Sequence, residues 1–307
     1  MANKKFAIVI IIIILSIIII VDIVHPQQHK IHKTLMLRHS ATGNTYNIGN
    51  KLSHFFFEMG TCAPKLYGGQ CPEKWKNSLW HRLMKQYKPL KTCVPYIASL
   101  RSNNSYHTWA EHLFFWNIMQ PNIRNIINNV LIPTTLPKNH STTIFIHFRC
   151  GDVPFIRSNR YVIPKMTFIN SAIENILLIQ PDITHIVFVT GFRPEKASSC
   201  NQTECISWLN NAYMNTLKQQ FTVTIQSTTA DEDFATLVTA KYLVASMPSS
   251  FVWFAGLACD GYVVYPGDSK NCIMHSRWVW LDSEHVQHNT VNSYFDRTEM
   301  YRHIMNE

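Results

Sequence analysis

From Ser141 to Pro266 the chain alternates two kinds of apolar pattern. Short β-branched runs, STTIFIHF (141–148), HIVFVTG (185–191), TVTIQS (222–227), YLVAS (242–246) and YVVYP (262–266), have the character of buried strands. Between them KMTFINSAIENILLI (165–179), ECISWLNNAYMNTLKQQF (204–221), EDFATLVTAK (232–241) and SSFVWFAGLAC (249–259) carry apolar residues at helical spacing. Strand and helix in regular alternation predict βαβ units, hence a parallel, doubly wound α/β sheet covered on both faces. Ligands of such sheets bind beyond the carboxyl ends of the strands, where RCGD (149–152), TGFRP (190–194) and SMPSS (246–250) fall.

The first half repeats the theme once. TLMLRHS (34–40) reads as a strand, ATGNTYNIG (41–49) as a Gly/Asn loop and NKLSHFFFEMG (50–60) as a helix closed by Gly60. An irregular Cys- and Pro-rich section runs from Thr61 to about Pro95, and helical patterning returns in TWAEHLFFWNIM (108–119) and NIRNIINNVL (122–131). The best boundary is IPTTLPKNHS (132–141), with two prolines among polar residues. The expectation is an N-terminal lobe over 34–137 and a C-terminal lobe over 138–307, both Rossmann-like, with a cleft between them.

Ahead of both lobes, a short leader (1–5) precedes FAIVIIIIILSIIIIVDIV (6–24), which is apolar from Phe6 to Val21 except at Ser16. This is long enough to cross a thin bilayer, and it lacks the short apolar core and small-residue cleavage site of a removable signal peptide. It predicts a single transmembrane signal anchor, followed by a polar stem (25–33) and a lumenal domain: type II topology in the Golgi or endoplasmic reticulum membrane. Sequons at Asn103, Asn139 and Asn201 and an even count of eight cysteines agree with that compartment. Cys62, Cys71 and Cys93 cluster, and Cys200 and Cys205 bracket a polar loop. No cysteine pair has zinc-ribbon or redox-motif spacing. A net charge of +9 favours anionic partners, but no dense basic block interleaved with aromatics points to nucleic acid.

Three stretches carry a family resemblance. IHFRCGD (146–152) resembles the H-x-R-x-x-D signature of α1,2-fucosyltransferases (glycosyltransferase family 11-like) and of the related α1,6- and protein O-fucosyltransferases. DFATLVTAKYLVASMPSSFVWFAGL (233–257) is similar to the C-terminal α1,2-fucosyltransferase pattern, and NIGNKLSHFFF (47–57) more faintly resembles the G-x-G-N-Q-L-F loop and helix of the first domain. They occur in the family's order. Departures are Cys150 for a second Arg, Asn47 for a loop Gly, Lys51 for Gln, Pro248 for Asn and Phe254 for a second Trp. The resemblance implies a GT-B-like fold, a GDP-fucose donor, a glycan or glycoprotein acceptor, inversion at the sugar carbon, and no metal cofactor.

Chemistry independent of the name sharpens these expectations. A nucleoside diphosphate leaving group without a metal must be stabilised by Arg or Lys and by helix N-termini. Arg149 can fork onto phosphate oxygens, the role that the resemblance implies; its structural alternative is a strand-end pair with Asp152. Ser249 and Ser250 stand at a helix start, as ligands for phosphate or as plain caps. His147, two positions before Arg149 on the same strand face, either meets the ligand, orders Arg149 or is a satisfied core residue. Asp152 suits positioning of sugar hydroxyls or of Arg149 better than general base work, because a neighbouring guanidinium keeps it ionised. Gly49 and Asn50 would face the donor from the first lobe, or form an ordinary turn; Asp233 would contact the nucleotide, or simply complement its helix dipole.

Two rivals stand beside this reading. DED (231–233) after a strand superficially fits the D-x-D motif that holds Mn²⁺ in glycosyltransferases of the other major fold, though it comes late in the chain. The other rival is a catalytically inactive, membrane-tethered glycan binder that kept the fold.

Overall fold

A computed structural model gives the structure at residues 51–53, 55–56, 59, 78–85, 113–131, 140–149, 162–190, 206–207, 209–246, 249–266, 277–281 and 286–288. All of these lie in one compact unit, 47–95 with 103–307; the other unit, 1–46 with 96–102, lies outside the described residues, as does the apolar segment 6–24. Among the described residues no helix is long and apolar enough to cross a membrane.

In chain order the elements are α1 (Leu79–Lys85), α2 (Leu113–Val130), β1 (Thr143–His147), β2 (Val162–Pro164), α3 (Met166–Leu177) and β3 (His185–Val189). A π-helical turn (Asn210–Met214) then runs into α4 (Asn215–Leu217), followed by β4 (Thr222–Gln226), α5 (Ala230–Thr239), β5 (Tyr242–Ala245), α6 (Ser250–Ala258), β6 (Tyr262–Pro266), β7 (Trp278–Leu281) and β8 (Val286–His288). Six strands form one sheet in the order β4-β3-β1-β5-β6-β7, and every neighbouring pair is parallel. The expected parallel α/β sheet is therefore present. Its strands, counted along the chain, follow the order 3-2-1-4-5-6, that of doubly wound dinucleotide-binding folds.

Strand periodicity decides what each face buries. Ile144, Ile146 and Phe148 point to one side, where they pack with Phe168, Ile169 and Ile173 of α3 and with Tyr213 and Leu217. His147 points to the other, against α6. Tyr213 donates its buried hydroxyl to the Pro164 carbonyl at 2.7 Å, which ties the π-turn to β2. That short strand pairs antiparallel with β8, in the register Val162↔His288, Ile163↔Gln287 and Pro164↔Val286.

Helices form where their ends are capped. Thr229 and Glu232 make a reciprocal capping box at the start of α5, and Ser249 accepts from the Val252 N–H at the start of α6. Helix α6 is apolar on every side, and each residue from Val252 to Ala258 is buried. The sheet covers one flank and α2 the other: Trp116 meets Phe254 edge-on at 5.5 Å, and Gln120 donates to the Leu257 carbonyl. Phe56 stacks on Phe254 as well, at 5.8 Å.

Several features depart from the sequence reading. The two helical stretches around Pro121 are one helix, α2, in which an exposed proline forgoes a single backbone bond. Helix α1 lies inside the section expected to be irregular, and β2, β7 and β8 were not expected. Cys259 is free and buried, which leaves seven cysteines, an odd number that cannot all pair within one chain.

Candidate functional site

The sheet reverses its winding between β1 and β5, since β3 and β4 extend it one way and β6 and β7 the other. At such a reversal the connections leave in opposite directions and open a crevice at the carboxyl ends. His147 and Ala245 are register partners there, and Ser246 donates to the His147 carbonyl through both its N–H (3.3 Å) and its hydroxyl (2.5 Å). These bonds fix the two strand ends against each other. Beyond them the chain delivers Arg149 on one side and the start of α6 on the other.

Arg149 is half-buried, two residues past the end of β1. Its charge reaches His147, whose pKa is lowered to about 3, first by burial and then by that guanidinium. The ring is therefore neutral at any physiological pH. It stacks on Phe251 of α6 at 5.6 Å, and Phe251 in turn meets Phe234 of α5 edge-on at 5.3 Å. His147 Nδ1 and, directly after β3, the Thr190 hydroxyl are buried with no hydrogen-bond partner among the described residues. An unmet buried polar group costs about 1–3 kcal/mol; Val189 is the register partner of His147, so Thr190 falls on the opposite face of the sheet.

Ser249 caps α6, and Ser250 is its first residue. Burial raises the pKa of the Tyr265 hydroxyl, against a backbone hydrogen bond from Ser249, so β6 also braces this helix start. A helix N-terminus carries partial positive charge and outward N–H groups, which suit an anion.

Asp233 turns inward instead. Its Oδ1 accepts from Gln226 Nε2 (3.1 Å), the Thr228 N–H (3.2 Å) and the Thr228 hydroxyl (2.7 Å), which knits the β4–α5 turn. Burial raises its pKa while those bonds hold it down. Its neighbours serve other ends: Asp231 accepts from the Leu79 N–H at 2.6 Å, capping α1, and Glu232 completes the capping box. The three acids of DED thus hold three separate pieces of backbone rather than converging. Among the described residues no group of three or more His, Cys, Asp or Glu could hold a metal ion.

Of the expected site residues, His147 packs on Phe251, next in the chain to Ser249 and Ser250, and Arg149 acts electrostatically on His147. Asp233 lies at the neighbouring helix start, linked through Phe234 and Phe251. Asp152, Gly49 and Asn50 lie outside the described residues. Sequence reasoning placed Thr190 and Ser246 in the strand-end stretches TGFRP and SMPSS without singling them out, and it missed Phe251. The first two share a legible mark, being the first polar residue after a buried strand; Phe251 has none, because its partner is set by the helix's approach to the sheet. Comparison with protein-family models, with curated proteins and with solved structures finds no match to this chain.

Proposed function

We propose that the chain is a membrane-anchored glycosyltransferase that moves fucose from GDP-fucose to a glycan hydroxyl, with inversion at the sugar carbon. One observation carries this reading: at β1 and β5, the neighbouring strands at which the sheet reverses, Arg149 follows β1 by two residues and the capped N-terminus of α6 follows β5. Those are the two devices with which a protein neutralises a departing diphosphate. The likeness of IHFRCGD and of the 233–257 stretch to the fucosyltransferase motifs supplies the sugar.

In this reading the acceptor oxygen attacks C1 as the bond from C1 to the diphosphate oxygen breaks. The leaving charge falls on Arg149 and on the α6 terminus with Ser249 and Ser250; the hydroxyl proton passes to a base that is not yet assigned. His147, being neutral, contributes no charge and offers one hydrogen bond at Nδ1. Asp233 acts by shaping the β4–α5 turn, a positioning role. Asp152, with Gly49 and Asn50 of an acceptor-side lobe (34–137), would complete the site in a GT-B-like layout with residues 138–307 on the donor side.

The test is turnover of GDP-fucose by Arg149→Ala. A fall of about a thousandfold or more is expected, with the circular dichroism of the folded chain retained. Undiminished turnover removes the proposed role. Activity should also survive EDTA; loss on chelation with recovery in Mn²⁺ would transfer the chemistry to a metal.

A further inference from the structure

The last rung between β1 and β5 is closed by a side chain. The His147 carbonyl accepts from the Ser246 N–H at 3.3 Å and from the Ser246 hydroxyl at 2.5 Å. The backbone bond lies just beyond the usual range and the hydroxyl bond at the short end of its own, so the side chain holds what the amide only loosely reaches. Ser246 is fully buried. A buried hydroxyl costs desolvation, and a strand end that served the core alone would continue with a small apolar residue such as Ala245 before it.

The peptide held in this way is the one that leads into Arg149. On its other side the Phe148 N–H donates to the Val189 carbonyl of β3 at 2.9 Å, and the buried Phe148 ring packs on Tyr213 at 5.2 Å and Phe188 at 6.3 Å. Both neighbouring strands and the core thus restrain the backbone one residue before Arg149. Ser246 stands at a similar remove from the other arm, three residues ahead of Ser249, the cap of α6. One hydroxyl bond therefore ties the chain that delivers the guanidinium to the chain that delivers the helix N-terminus. A ligand gripped by both needs their spacing held to within about 0.5 Å.

We infer that Ser246 is a positioning residue of the diphosphate site: its hydroxyl, through the His147 carbonyl, fixes the backbone that carries Arg149 against the backbone that carries α6. The inference rests on the proposed function, in which those two groups hold the diphosphate. The experiment titrates the full chain, held in detergent, with inorganic pyrophosphate and separately with GDP, reading binding by calorimetry. Ser246→Ala should weaken pyrophosphate binding roughly fivefold or more, one hydrogen bond's worth, with its melting transition still above the titration temperature. Added to Arg149→Gln, the same change should alter affinity by less than about twofold, because no guanidinium is left to place. Should the alanine variant fail to fold, Ser246→Cys, similar in size and a weak donor, is read in its place with the same expected losses. Equal affinity of wild type and Ser246→Ala for both ligands overturns the role of Ser246 and leaves the donor reading standing. An undiminished loss in the Arg149→Gln background also overturns it, since that marks a general effect on the fold. Pyrophosphate binding with none of GDP leaves the role standing and removes the nucleotide-sugar reading, and binding of neither by the wild-type chain overturns both.

Discussion

His147 shows how little of a residue's role follows from its type. An imidazole beside an arginine at a strand end suggests a proton carrier, but burial and the Arg149 charge keep it neutral down to about pH 3. In the unfolded chain the same ring takes a proton near its ordinary value of 6.5. Between those values the unfolded state binds more protons, so this residue's contribution is complete above pH 6.5 and is lost as pH falls toward 3. The slope is at most about 1.4 kcal/mol per pH unit. His147→Phe preserves the stack on Phe251 and removes the titration, so its melting temperature should drop less than the wild type's between about pH 7 and pH 4.5. Equal drops would mean that the ring titrates normally in the folded protein.

At the scale of elements, α6 depends on its two ends unequally. Ser249→Ala removes one cap and should cost about 1 kcal/mol in chemical denaturation. Gly261→Ala, in the turn from α6 to β6, sets a Cβ 2.2 Å from the Ala240 carbonyl oxygen and 2.4 Å from that of Lys241. Both obstacles are backbone, at the start of β5, and cannot swing aside. The loss should be about 2–4 kcal/mol, and a smaller loss than that of Ser249→Ala would show that the turn opens freely. Cys259 reinforces the same junction, its thiol donating to the Ala240 carbonyl at 3.0 Å and its sulfur accepting from the Gly261 N–H at 3.2 Å. Elements with a long, regular pattern were legible in the sequence: five of the sheet strands and their helices appear where periodicity placed them. Strand β7 was not, because WVWL follows β6 by too few residues for a helical crossover. Strands β2 and β8 stand at three residues each, below the length at which alternation can be recognised.

For the whole molecule, alternation implied a parallel sheet but not its order, which depends on how each crossover lies on the sheet rather than on local pattern. The chemistry of the site was legible in part: Arg149 and Ser249 announced themselves by type and position, while the stacking of His147 on Phe251 is a property of packing. The N-terminal run 6–24 supports a prediction of its own. After alkaline carbonate washing the chain should remain in the membrane fraction, and amidase digestion should increase its mobility if Asn103, Asn139 or Asn201 carries glycan. Release by carbonate would remove the anchor, and with it the lumenal assignment.

Ser246 reaches His147 across 99 positions of chain. During synthesis β1, β3 and β4 emerge well before β5, so for a time β1 is a bare margin of half a sheet. Its unpaired amides are then open to chaperones or to another nascent copy. A polypeptide arrested before residue 242 keeps Arg149 but lacks both β5 and the start of α6.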